Sequence, residues 1–207
     1  MTGRLLPKSR KPLKKLQERV GQLRKEHPGK QIEIWAEDEA RLGLQPVIRR
    51  QWCKVGSKPR AVHRIQYQWI YVYGFVNPAT GETHWLFLPS VNCKLTELAL
   101  ESFALQYGDE NKIILLLWDQ AGFHQTTNMQ LPAGIEIFSL PPYTPELQPA
   151  ERLWPSLQEA VANRWVRTLD HLESLLTDRI QALIKTPETI RSLTGFSWIL
   201  SALNTTS

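Results

Sequence analysis

An α/β fold built on a mixed five-stranded sheet flanked by helices is what this sequence predicts. Three observations carry that prediction. Residues 31–38 alternate with period two, residues 112–118 are apolar on both faces, and 94–107, 149–164 and 169–185 repeat apolar residues at helical spacing. The 207-residue chain is 42% hydrophobic and 22% charged, enough to bury a core and unlike a disordered polymer. Its longest apolar run, 113–118, is far short of a membrane span, and no apolar segment follows the basic N-terminus as a signal peptide requires. Cys53 and Cys93 are too few for a disulfide scaffold and lack zinc spacing, so a reducing cytoplasm is expected.

Taken in order, residues 1–12 read as a loose tail around Pro7 and Pro12. Leu13, Leu16, Val20 and Leu23 then predict a short amphipathic helix over 13–26, stopped at Pro28 and Gly29. Residues 1–30 hold ten Lys/Arg against Glu18 and Glu26, a balance of +8, whereas the remainder carries −3. This segment is expected to be a basic arm or linker suited to a polyanion; a solvated flanking helix accounts for the charge equally well. In the first strand Ile32, Ile34, Ala36 and Asp38 share one face, and Glu33, Trp35 and Glu37 the other. Residues 41–60 hold Arg41, Arg49, Arg50, Lys54, Lys58 and Arg60 around Trp52 and Gly56, a basic loop or irregular hairpin. Strands over 66–76 and 82–88 flank the turn 77–81 and should pair as a hairpin. Asn92 can cap the helix over 94–107. The strand 112–118 is central, and 135–139 is a short fifth strand. A proline-rich connection, 140–149, leads into the last two predicted helices. A single domain over 31–190 is expected, with 191–207 as a C-terminal tail. The crossover through a helix between the third and fourth strands makes the sheet mixed, and the whole order is the layout of an RNase H-like fold.

Three acids sit in contexts that call for a reason. Asp38 continues an apolar face at the expected end of the first strand, Asp119 ends the central strand, and Glu151 opens a helix behind a rigid approach. Each has an ordinary reading: Asp38 and Asp119 as turn residues, Glu151 as a first-turn acid favoured by the helix dipole. Together, strand ends and a packed helix can bring the three to one point. Two carboxylates about 4 Å apart repel by roughly 4 kcal/mol at an effective dielectric of 20. A convergent trio therefore needs raised pKa values or a cation, and oxygen-only ligands suit Mg²⁺ or Mn²⁺. The five histidines and two cysteines are scattered, which argues against zinc hydrolysis.

The segments around these acids resemble a known family. Asp38 with Glu39 after a hydrophobic strand, Trp118 and Asp119 with His124 beyond them, and Leu140, Pro141, Pro142, Tyr143, Pro145, Pro149, Glu151 and Trp154 look like the three blocks of mariner-type insertion-sequence transposases. These belong to the DDE superfamily of RNase H-like polynucleotidyl transferases. Trp52, Gly56 and Pro59 resemble the stretch that follows the family's first block. The resemblance implies that Asp38, Asp119 and Glu151 bind two Mg²⁺ or Mn²⁺ ions. Phosphodiester bonds at element ends would then be hydrolysed and the 3′-hydroxyl joined to target DNA. His124 and Glu39 are candidate auxiliary residues. Arg49, Arg50, Lys54, Lys58 and Arg60, with Lys14 and Lys15 of the arm, are candidates for DNA-backbone contact, and Trp52 for stacking on an unpaired base.

Gln120 and Gln148 stand where the family carries asparagine, and only about thirty residues precede the first strand, fewer than a helix-turn-helix module with its linker needs. The expected partners are therefore DNA, further copies of the chain on DNA, and a separate helix-turn-helix protein from an upstream reading frame, at the nucleoid and without a membrane. Two other readings remain: a degenerate transposase acting as a non-catalytic DNA-binding or assembly protein, and an RNase H-like nuclease without strand transfer.

Overall fold

The computed structural model describes residues 10–58, 65–119 and 129–204. Five strands form one sheet: β1 (Gln31–Gly43), β2 (Trp69–Val76), β3 (Thr83–Leu88), β4 (Lys112–Trp118) and β5 (Ile135–Ser139). Their order is β3-β2-β1-β4-β5. The β1–β2 and β2–β3 pairs are antiparallel, and β1–β4 and β4–β5 are parallel. Among the described residues six α-helices cover it: α1 (Arg10–Glu26), α2 (Cys93–Tyr107), α3 (Trp154–Val161), α4 (Leu169–Ile184), α5 (Pro187–Thr194) and α6 (Ser197–Leu203).

The sheet separates two apolar layers. On one face Trp35, Tyr73, Phe75, Ile114 and Leu116 pack on Ala99, Leu100 and Phe103 of α2. On the other, Ile34, Ala36, Val72, Leu115 and Leu117 pack on Leu16, Val20 and Leu23 of α1 and on the C-terminal helices. The central position of β1 and β4 accounts for their burial on both faces. Helix α2 starts where expected, with the Asn92 side chain accepting from the Leu95 amide at 3.0 Å.

Two boundaries differ from the sequence expectation. β1 continues past Asp38 to Gly43, because Glu39–Gly43 pair in register with Trp69–Tyr73 of β2. Asp38 thus sits inside a strand. The helix expected over 149–164 divides into a 3₁₀ turn (Ala150–Arg152) and α3. Pro155 has no N–H to donate to the Glu151 carbonyl, so one α-helix cannot run through the junction.

The expected tail 191–207 and arm 1–30 also differ over their described parts. Ile190 of α5 and Trp198, Ile199 and Ala202 of α6 are buried in the same layer as Leu16, Val20 and Leu23. Arg24 of α1 donates to the Leu203 carbonyl at 2.6 Å, and Arg19 pairs with Glu136 of β5 and with Glu26. Burial of these short apolar stripes, rather than their own helix propensity, makes them part of the body.

Candidate active site

The first two acids meet through strand register. Ala36 of β1 is paired with Leu117 of β4, and both side chains lie in the α1 layer. Two residues further along come Asp38, inside β1, and Asp119, which directly follows the last residue of β4. The adjacent-strand spacing of roughly 5 Å then holds them as neighbours.

The proline-rich segment brings the third acid. After β5, the Leu140 amide donates to the Trp118 carbonyl at 2.8 Å, tying the segment to the end of β4. Gln148 then donates from Nε2 to the Glu37 carbonyl at 2.8 Å, tying it to β1. Leu147, Ala150 and Leu153 bury themselves between these tethers. Asp38, Asp119 and Glu151 consequently line one cavity of about 310 Å³, walled by Leu140, Pro141, Pro142 and Tyr143.

Trp154 completes the frame. Its Nε1–H donates to Asp38 Oδ2 at 2.7 Å in a buried contact. The indole reaches Asp38 across Gly74, the residue opposite Asp38 in β2. A β-carbon at Gly74 would stand 2.8 Å from Trp154 Cη2 and 3.1 Å from Trp85 Cζ3. Glycine is needed here for that close approach. Neither Trp154's bond nor the role of Gly74 was part of the sequence expectation. The local signal for it is a glycine inside an otherwise aromatic strand.

The electrostatics show what the cavity lacks. Asp38 is 8% exposed; burial pushes its carboxyl up to about 7, Trp154's bond opposes this, and Glu151 and Glu39 add to it. Glu151 is raised by burial and by Asp119, against the opposing effect of Arg152. Glu37, on the other face of β1, is raised well above the usual range, by burial first and then by Glu39, Asp38 and Asp119. Neither oxygen of this buried Glu37 carboxyl has a hydrogen-bond partner among the described residues. Among the described residues, no Lys, Arg or His lines the cavity.

An oxygen-only, mutually repelling set with room around it fits a hard divalent cation. Among the described residues, the grouping of acids or histidines whose ligand atoms all lie within 4.8 Å of one another is Glu26, His27 and Glu136, which Arg19 already bridges. The cavity acids stand farther apart than that. Mg²⁺, which keeps several of its waters, tolerates such spacing.

The other expected residues fall elsewhere. Glu39 lies on the Glu37 face of β1, away from the cavity lining. Arg49 bonds Glu159 at 3.0 Å and Gln158 at 3.1 Å. Arg50, Trp52, Lys54 and Lys58 are exposed on the loop after β1. Lys14 faces Glu18 at 3.8 Å, and Lys15 edges a separate groove near Pro141 and Pro142. His124, Gln120 and Arg60 lie outside the described residues.

Comparison with known proteins gives concordant findings. A family model described as DDE superfamily endonuclease matches residues 33–173. The catalytic domain of Mos1 mariner transposase has the same RNase H-like fold, with a TM-score of 0.54 at 14% identity and full coverage of both chains. The Mos1 mariner paired end complex with Mn matches at a TM-score of 0.56 and 13% identity, over 99% of this chain and 65% of that one. The Mos1 strand transfer complex matches at 0.55 and 15%, over 100% and 67%. The chain thus spans about two thirds of the Mos1 chains in those complexes. An uncharacterized protein of Sinorhizobium fredii, y4pE/y4sA, is 29% identical over 131 residues, 63% of this chain and 96% of that protein.

Proposed function

The chain belongs to the DDE superfamily endonucleases, and from that premise we propose that it is the catalytic domain of a DNA transposase. The observation that carries this reading is the convergence of Asp38, Asp119 and Glu151, from three segments remote in sequence, on one cavity with no cationic side chain among its described lining residues. In this reading those three side chains hold two Mg²⁺ or Mn²⁺ ions. When bound, the ions supply Lewis-acid activation of the attacking oxygen and charge stabilisation of the leaving oxygen.

The rest is done by the chain. Trp154 occupies one oxygen of Asp38 and so orients the carboxylate. Gln148 holds the backbone beneath it, and the Leu140–Pro141–Pro142 wall limits access of bulk water to one side. The scissile phosphate enters from the open side, and an attacking water or 3′-hydroxyl is held in line with the leaving 3′-oxygen. Arg50, Lys54 and Lys58, with Lys14 and Lys15, supply backbone contacts, and several copies of the chain assemble on DNA with a helix-turn-helix partner.

The test is Mn²⁺- or Mg²⁺-dependent cleavage of duplex carrying the element ends, scored for both nicked and joined products, with and without the upstream reading frame's protein. Metal-dependent joining lost in Asp119→Asn is the expected result. Cleavage without joining would leave a nuclease. DNA binding without either product would leave a non-catalytic assembly protein.

A further inference from the structure

Gln148 lines the same cavity as the three acids and is 2% exposed. Its carboxamide has two ends, and the fold accounts for one of them. Nε2 donates to the Glu37 carbonyl at 2.8 Å. A carbonyl only accepts, so it fixes which end of the amide faces β1 and leaves Oε1 as the other end. That oxygen is buried and has no hydrogen-bond partner among the described residues. Among the described residues that line the cavity, Gln148 is the one that carries such an atom.

The side chain has little freedom to find another partner. The Gln148 amide donates to the Pro145 carbonyl at 3.0 Å, and Pro149 favours the extended backbone that Gln148 adopts, with φ of −85° and ψ of 112°. Leu147 before it and Ala150 after the proline are buried. A buried acceptor left without a donor costs stability, whereas an apolar side chain of similar length fills the same space without one. The chain nevertheless keeps this oxygen beside Asp38, Asp119 and Glu151. A neutral amide oxygen adds a lone pair to that set without adding to its repulsion. A hard divalent cation there retains several waters, and their hydrogens need acceptors.

We propose that Gln148 is a positioning residue of the cation site. Its Oε1 accepts a hydrogen bond from a water in the bound ion's hydration shell, while its Nε2 stays on the Glu37 carbonyl. The inference rests on the reading of Asp38, Asp119 and Glu151 as cation ligands and adds to them a group that holds a water. One carboxamide thereby couples the β1 backbone next to Asp38 to the ion's water shell.

The experiment titrates Mn²⁺ into the full chain by calorimetry, for the wild type and two variants, alongside metal-free melts that check folding. Gln148→Met keeps the length and removes both ends of the amide; it should bind Mn²⁺ about tenfold more weakly. Gln148→Glu keeps an oxygen and gives it a charge, and it should bind at least as tightly as the wild type. Nuclear relaxation of solvent water at the bound Mn²⁺ should report faster water exchange in Gln148→Met, which loss of the Glu37 tether alone does not produce. Wild-type affinity in Gln148→Met, unchanged water exchange there, or equal weakening in both variants overturns the inference. The carboxylate reading then still stands if Asp119→Asn abolishes Mn²⁺ binding. Should neither variant fold, the wild type decides: the side-chain amide signal of Gln148 should shift on adding Mg²⁺, and a signal that stays in place overturns the inference. A wild-type chain that binds no Mn²⁺ overturns both.

Discussion

Two segments leave the same sheet and are built in opposite ways. The stretch 140–157 is tethered to β4 by Leu140, to β1 by Gln148 and to Asp38 by Trp154, with Leu147, Ala150, Leu153 and Leu157 buried. The loop after β1 is exposed throughout 48–58, with Trp52 and Val55 fully in solvent. It is held at its root by Arg49 against α3 and by the Asn163 amide, which donates to the Val47 carbonyl at 2.8 Å. The difference teaches where the chain supplies its own order. The carboxylates are preorganised by contacts within the fold, as bond-making geometry demands. The basic loop leaves large apolar and cationic side chains exposed and without partners among the described residues, as a surface awaiting a binding partner does.

The largest effect should fall on the braced side. Asp38→Asn, Asp119→Asn and Glu151→Gln should each lower metal-dependent DNA cleavage by roughly a thousandfold or more, since several kcal/mol of charge stabilisation depend on the ions. Their melting midpoints should match or exceed wild type, because each removes a repelling charge. A comparable fall on neutralising the loop would abolish the contrast between the segments.

Next come the braces. Trp154→Phe should weaken Mn²⁺ binding by about 10–100-fold, read by calorimetry, because Asp38, the proposed ligand, then loses the indole N–H that orients it. Gly74→Ala should act through the same bond by displacing the indole. It should cost little more in the Trp154→Phe background, where the bond it disturbs is already absent. Additive effects would show that Gly74 does not work through Trp154.

The pH dependence sharpens the same point. Asp38 and Glu151 bind protons more tightly in the folded chain than in the unfolded one. Metal-free stability should therefore fall as pH rises from about 4 through about 7, the folded value for Asp38. Saturating Mn²⁺ selects the ionised form, so the gap between loaded and metal-free midpoints should widen over that window. A flat gap from pH 5 to 8 would contradict the assignment of Asp38 as a ligand.

The loop should show smaller and different effects. Neutralising Arg50, Lys54 and Lys58 together should make DNA binding less sensitive to salt, the log–log slope shrinking by up to roughly 0.9 for each phosphate no longer neutralised, with Mn²⁺ affinity unchanged. Arg49→Ala removes an exposed pair with Glu159 and should cost at most about 1 kcal/mol of stability in a denaturant melt.

Much of this was legible in local patterns. The central strand, β5 and the Asn92 cap fall where alternation and capping place them. The three acids stand out because carboxylates at apolar strand positions and behind a stiff proline approach need explaining. The true length of β1 was not legible, since Glu39 and Arg41 are held in the strand by their β2 partners. Helices α5 and α6 were not legible either, because stripes of eight and seven residues are too short to show a period.

By itself the sequence determined which stretches alternate, which repeat every three to four residues and where chains must turn, because those preferences act between near neighbours. Tertiary structure alone decided that Asp38 and Asp119 line one cavity, that Trp154 crosses Gly74 to reach one of them, and that a stripe read as a linker joins the core. Those outcomes depend on pairing register and on burial between segments far apart in the chain, and neither is encoded in any short window of residues.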